Sequence, residues 1–336
     1  MNRHTRYRPA TTTRNTATQR SCHSVDLLTF THTLALGLYG LVGWAPSSAA
    51  LATPRVGYDV LVGQRVVTSS TKSTSTPSPR MLVLVLGGTA LCGALHALTD
   101  LLCTSRSWLP SPTAKERSLA VQSAVNVIIL IFVFGLYVAA LFGPSNWKTT
   151  MFDDADAAVV QRTFASSDSL DAGLSLNLAL VLYETSLYLY FGKTLAEFAH
   201  HVLGIVVVSL SLRSGHLGYF VAWAGLAEFT NVPLSVLYVM NTANLKDHPL
   251  YVPNGILLWM GFLTTRIISL AVCAWRLSRD LFVTLPALSK LEQLDPALRY
   301  LLLPSNLFLW ALSVMWFRKI TLGMLKALGT MGKKAK

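Results

Sequence analysis

Charge is scarce in this chain. Asp, Glu, Lys and Arg together make up 13% of 336 residues, with 16 acids against 28 Lys and Arg. An ordinary soluble domain carries about a quarter charged residues, so that class is excluded. The net charge of +12 would suit nucleic acid, but the basic residues lie mostly at the ends and between apolar runs, as membrane topology requires. No RNA- or DNA-reading motif accompanies them, and no nucleic-acid partner is expected. Cysteine is also sparse: Cys22, Cys92, Cys103 and Cys273 show no C-x-x-C pair and no zinc spacing, so neither a redox pair nor a metal site is expected. No N-x-S/T sequon occurs.

Apolar sequence fills the space that charge leaves, with 52% hydrophobic residues and a mean hydropathy of +0.47. The expected fold class is all-α, a polytopic membrane protein of about seven to eight transmembrane helices. Residues 1–26, rich in Arg and Thr, read as a basic flexible tail. Residues 27–44 form an apolar run that suits a signal anchor or a signal peptide. Residues 45–80 end in VVTSSTKSTSTPSPR and read as a Ser/Thr/Pro-rich loop. Residues 81–103 are an additional helix, with His96 and Asp100 one turn apart as an expected pair. Further spans follow from residue 119, the first of them carrying Asn126 as an expected interhelical hydrogen bond. The acidic loop at 144–172 contains Asp153, Asp154 and Asp156, but it lacks the glycine turn and distal glutamate of a calcium loop.

Chemistry concentrates between Tyr183 and His201. Glu184 sits inside an apolar run long enough to span a bilayer, where an ionisable side chain is costly and marks a functional site. Gly192 supplies a helix stop, and Thr194 with Glu197 forms a T-x-x-E capping box for the next helix. His200 and His201 then fall in its second turn, pointing about 100° apart. Further along, Glu228, Asn231 and Pro233 combine an acid, an amide and a helix kink, which suggests a cavity. Arg266, in the middle of the next run, needs an acidic or backbone partner, with Glu184 and Glu228 as candidates.

The distribution of Lys and Arg favours a cytosolic N-terminus, and eight spans return the C-terminus to the cytosol. Lys333 and Lys334 then stand fourth and third from the end. That is the KKxx spacing, a receptor-read retrieval signal of the endoplasmic reticulum, so coat-protein retrieval machinery is an expected partner.

From about residue 119 to 327 the polar landmarks resemble the TLC-domain family, which includes ceramide synthases, translocating-chain-associated membrane proteins and smaller TLC-domain-containing proteins. The resemblance rests on Glu184 in its tyrosine-rich helix, the His200-His201 pair, AEFTNVP, PNGILLWMGFLTTR and VMWFRKI. Ceramide synthases continue with a His-Asp pair where this chain has AGLAEFTN, and the family's acid is usually aspartate where this chain has Glu184.

The resemblance implies a six-helix barrel around a lipid-accessible cavity, preceded by two additional N-terminal spans, with residues 328–336 as a basic cytosolic tail. It further implies a protein of the endoplasmic-reticulum membrane that binds membrane lipids or controls lipid composition, without a resident cofactor. In this reading Glu184, Glu197, Glu228, Asn231, Pro233 and Arg266 line or support the cavity. The alternative it implies is an N-acyltransferase, with His200 and His201 catalytic and acyl-CoA as co-substrate. A translocation, trafficking or transport accessory is a further alternative. Which lipid is bound and whether the chain is catalytic stay open at this level.

Overall fold

A computed structural model describes residues 58–61, 64–67, 79–106, 113–143, 151–192 and 194–334. The tail expected at 1–26 and the anchor expected at 27–44 lie outside the described residues. Seven of the described helical stretches are long and apolar enough to cross a membrane, beginning at Pro79 and ending at Lys326. The chain is an all-α polytopic membrane protein.

The first of these helices, α1 (Pro79–Arg106), covers the additional helix expected at 81–103. Next comes α2 (Ala114–Phe142), whose N-cap Thr113 accepts a hydrogen bond from the Glu116 backbone N–H, so the helix begins five residues before the apolar run itself. The acidic loop contains a short helix, α3 (Asp156–Phe164). It is followed by α4 (Asp168–Phe191) and α5 (Leu195–Ser214). The sixth span breaks into α6 (Gly218–Gly225), a 3-10 turn (Leu226–Thr230) and α7 (Asn231–Thr242). A single long rod then carries α8 (Tyr251–Gly261), a π-helical segment (Phe262–Ile268), α9 (Ser269–Arg279), a second π-helical segment (Asp280–Thr284) and the short α10 (Leu285–Ala287). The last helix, α11 (Pro296–Lys334), continues through the stretch expected as a tail. A small antiparallel sheet, β1 (Tyr58–Leu61), β2 (Gln64–Val67) and β3 (Ala165–Ser166), joins the stretch expected as a linker to the end of α3.

Six spans close into a ring. Neighbouring pairs run α2 with α4, α4 with α5, α5 with α11, α11 with the α8–α9 rod, α8 with α7, and α7 back to α2. Helix α1 stands outside this ring and packs on α2 and α4. Close approach at that seam is possible because Gly88 has no side chain: a Cβ there would lie 2.9 Å from the Cβ of Ala179. The outward faces are apolar, with Leu98, Leu101, Ile131 and Phe132 all exposed. This distribution suits lipid as the solvent, because hydrocarbon tails are as apolar as leucine and the polar side chains turn to the bundle interior.

One end of the ring is tied by a cluster the sequence did not reveal. Arg162, Arg276 and Asp280 are essentially fully buried. Asp280 pairs with Arg162 at 3.1 Å and with Arg276 at 3.0 Å. Both guanidiniums also donate to the Asp153 carbonyl, each at 2.7 Å, and Arg276 reaches the Asp154 carboxylate. That hydrogen bond, with Arg279 nearby, holds the Asp154 carboxyl below the usual carboxylate range. The Asp153 carbonyl and the Asp154 carboxylate therefore clamp the start of α3 onto the α9 rod, and the Asp153 side chain accepts from the Ala155 N–H at 2.9 Å.

Candidate functional site

At the other end of the ring, the end of α4 meets the start of α5. Gly192 takes φ 68°, a left-handed backbone angle that favours glycine. The chain thus turns within three residues. Thr194 accepts from the Glu197 N–H, and the Glu197 carboxylate accepts from the Thr194 N–H at 3.1 Å, completing the capping box. The Glu197 carboxylate, expected at the cavity, is engaged at the helix start by the Thr194 N–H and hydroxyl. There it fixes the entry of α5, and hence the position of His200 and His201.

Glu184 faces inward from α4. Its Oε1 accepts from the Asn126 amide, which forms the interhelical hydrogen bond expected of that residue, and from the Gln122 amide at 3.5 Å. Its Oε2 lies 3.8 Å from Nδ1 of His201. The His201 ring packs edge-on against Tyr188, with centroids 4.6 Å apart, and against His200 at 5.3 Å. Carboxylate and two imidazoles therefore stand in series, with amide donors from α2 holding the carboxylate in place. Such an array places a carboxylate and two imidazoles, each able to hold or pass a proton, within reach of one another.

A second polar group comes from the π-helical segment. Arg266 donates through Nε to Thr230 at 2.7 Å and through Nη2 to the Asn231 side chain at 3.0 Å. Asn231 in turn donates to Glu228 at 2.6 Å. Of the two acids expected as partners for Arg266, Glu228 is the one nearby, and it acts through an amide bridge; Glu184 is taken by Asn126 and His201. Pro233 supports the same corner by another route, since its carbonyl accepts from the Asn254 amide at 2.8 Å and so ties α7 to α8. The Arg266 guanidinium lies 5.0 Å from the Phe262 ring centre and 5.9 Å from that of Trp316. Trp316 also packs edge-on to His200 at 6.1 Å. One tryptophan on α11 thus joins the histidine pair to the arginine group.

Sequence reasoning named Glu184, His200, His201, Glu228, Asn231 and Arg266, and the structure gathers them on the inside of the ring. It missed Gln122, Tyr188 and Trp316. Gln122 could have been found from its spacing, because it precedes Asn126 by one helical turn on an otherwise apolar α2. Trp316 carried no comparable signal among so many aromatic residues. The pair expected between His96 and Asp100 does not form. His96 instead contacts the Tyr183 hydroxyl at 2.7 Å and the Ser118 hydroxyl at 3.1 Å, while Asp100 takes Arg117 at 2.9 Å. Each side chain found a partner on a neighbouring helix that one-helix spacing could not reveal. Among the described residues, no three His, Cys, Asp or Glu side chains come together as a metal-binding group. The side chains of Lys333 and Lys334 lie outside the described residues.

The family model of the TLC domain matches residues 115–322. The match begins at the start of α2, ends in α11, and leaves α1 outside. No curated protein matches the chain closely enough to extend this. With well over half of its length matched, and the ring of six helices falling inside the match, the chain belongs to the TLC-domain family of multi-pass membrane proteins.

Proposed function

We propose that this protein binds membrane lipids inside its helical ring and controls membrane lipid composition in the endoplasmic reticulum. One observation carries the reading: Glu184, His201, His200 and Arg266 converge inside a ring of apolar helices. Few convergent polar groups in an apolar interior is what a lipid requires, the chains being held by side chains and the headgroup by directed donors and acceptors. The KKxx spacing of Lys333 and Lys334 supports the location and a cytosolic C-terminus.

The test is lipid composition. Cells lacking the protein are reconstituted with the wild type or with the His200→Ala, His201→Ala double variant, and phospholipid acyl chains are measured by mass spectrometry. The wild type is expected to restore the composition and the variant to fail at equal abundance. Full restoration by the variant overturns the reading.

A second reading is favoured by one specific atom. Nδ1 of His200 is buried and has no hydrogen-bond partner among the described residues. A buried nitrogen left in this way costs about 1–3 kcal/mol, which a reacting ligand would relieve. Under this reading the protein is an N-acyltransferase that moves an acyl chain from acyl-CoA to a sphingoid base. Labelled acyl-CoA and sphingoid base, supplied to membranes without other ceramide synthases, should then yield N-acyl product that the double variant does not make.

A further inference from the structure

Where α1 leans on the ring, three side chains from three helices meet. His96 of α1 contacts the Tyr183 hydroxyl through Nδ1 at 2.7 Å and the Ser118 Oγ through Nε2 at 3.1 Å. All three residues are buried. His96 lies on the helix outside the TLC-domain match, and the group shares no residue with the Glu184–His201 array.

We propose that Ser118 is an acyl-accepting nucleophile, with His96 as its general base and Tyr183 as the group that orients the imidazole, acting on the ester or thioester of a lipid acyl chain. A nucleophile within hydrogen-bond reach of a base, itself held by a third group, is the arrangement that activates a hydroxyl. Both distances fall in the range that proton transfer needs. In the tautomer with the proton on Nδ1, the ring donates to Tyr183 and its Nε2 accepts from Ser118. Ser118 lies only five residues past the N-cap Thr113, so the group stands near one end of α2.

The step balances as follows. Ser118 Oγ bonds to the acyl carbonyl carbon while its proton passes to Nε2 of His96. The tetrahedral adduct collapses, the carbon–oxygen or carbon–sulfur bond breaks, and the leaving alkoxide or thiolate takes the proton from Nε2. Water or a second hydroxyl then attacks the Ser118 ester by the reverse path.

A purely structural role for His96, pinning α1 to α4, needs the Tyr183 contact but no hydroxyl at position 118. The experiment separates the two. The full-length protein in membranes is treated with a long-chain alkyl fluorophosphonate, whose phosphorus bonds to an activated serine oxygen with loss of fluoride. The adduct is then located by peptide mass spectrometry. The expected result is an adduct on Ser118, absent in Ser118→Ala and formed at least tenfold more slowly in His96→Gln. Tyr183→Phe, which keeps the ring packing, is expected to shift the pH midpoint of labelling; a merely structural role would not. Absence of a Ser118 adduct from wild-type protein with a normal unfolding transition overturns the proposal, as does equal labelling in His96→Gln. Because the lipid-composition test turns on His200 and His201, either reading can fail without the other.

Discussion

Replacing Asp280 by Asn keeps its shape and removes its charge. The consequence can be worked from its surroundings. Asp280 lies between two buried guanidiniums, 3.1 Å from Arg162 and 3.0 Å from Arg276. With the carboxylate gone, Arg162 keeps the Asp153 carbonyl as an acceptor, and Arg276 keeps that carbonyl and Asp154. Two buried cations then face each other with less than full compensation. Breaking a buried pair by removing one partner costs about 3–5 kcal/mol, roughly three factors of ten in the folding equilibrium. Thermal unfolding of the detergent-purified protein should therefore show a large loss for Asp280→Asn. Asp154→Asn, at a half-exposed position, should show a much smaller one. A double-mutant cycle with Arg162→Met sharpens the test, because residues in one ion-pair network couple by about 0.5–3 kcal/mol. Equal losses for Asp280→Asn and Asp154→Asn, or strict additivity with Arg162→Met, would refute the description of a buried clamp.

Two other predictions concern positions away from the clamp. Burial lowers the pKa of His216, against a weaker opposing influence from Asp295, and Nδ1 of His216 accepts from the Asp295 backbone N–H at 3.1 Å. The folded state therefore binds this proton less readily than the unfolded chain, whose histidine titrates near pH ~6.5. Its contribution to stability is present above that pH and is lost as the pH falls below it, at up to about 1.4 kcal/mol per pH unit. Unfolding followed between pH 7.5 and 5.5 checks this, and His216→Gln should flatten the profile; an unchanged slope would remove His216 as its source. Gly225→Ala should destabilise by about 1–3 kcal/mol, because the new Cβ would press into the Tyr137 ring, whose hydroxyl accepts from Asn177 at 2.9 Å. A thermal shift assay reads it, and a neutral result would mean that the ring can move aside.

The local elements were legible in the sequence because their causes are local. Gly192, Thr194 and Glu197 announce a stop and a start within six residues, and the apolar runs announce the spans. Glu184 and Arg266 declared themselves as ionisable groups where hydrocarbon makes them costly. Their partners were less legible, since partnership depends on which helices adjoin. Asp153 and Asp154 read as part of an acidic loop, yet Arg276, 122 residues beyond Asp154, makes them part of a clamp. His96 and Asp100 have the spacing of a pair, but Tyr183 and Ser118 compete for the imidazole and Arg117 for the carboxylate. The packing of helices explains these outcomes: ring closure brings the α9 rod against the start of α3, and α1 docks on α2 and α4 from outside the ring, contacts that no single stretch of sequence encodes.

The rod from Tyr251 to Ala287 bears the polar groups of both ends of the molecule, Arg266 near the histidines and Arg276 with Asp280 at the clamp. Two segments along it, Phe262–Ile268 and Asp280–Thr284, wind more widely than the α-helix around them. A π-helical turn changes the rotational phase of everything beyond it, and each residue of a regular helix turns by about 100°. The rod therefore behaves as a camshaft, whose first wide segment sets the angle between Arg266 and Arg276. Deleting one residue from the first segment would not merely shorten the helix. It would rotate one lobe against the other, so that a side chain now aimed at the interior of the ring would be carried toward lipid while its counterpart at the far end stayed engaged.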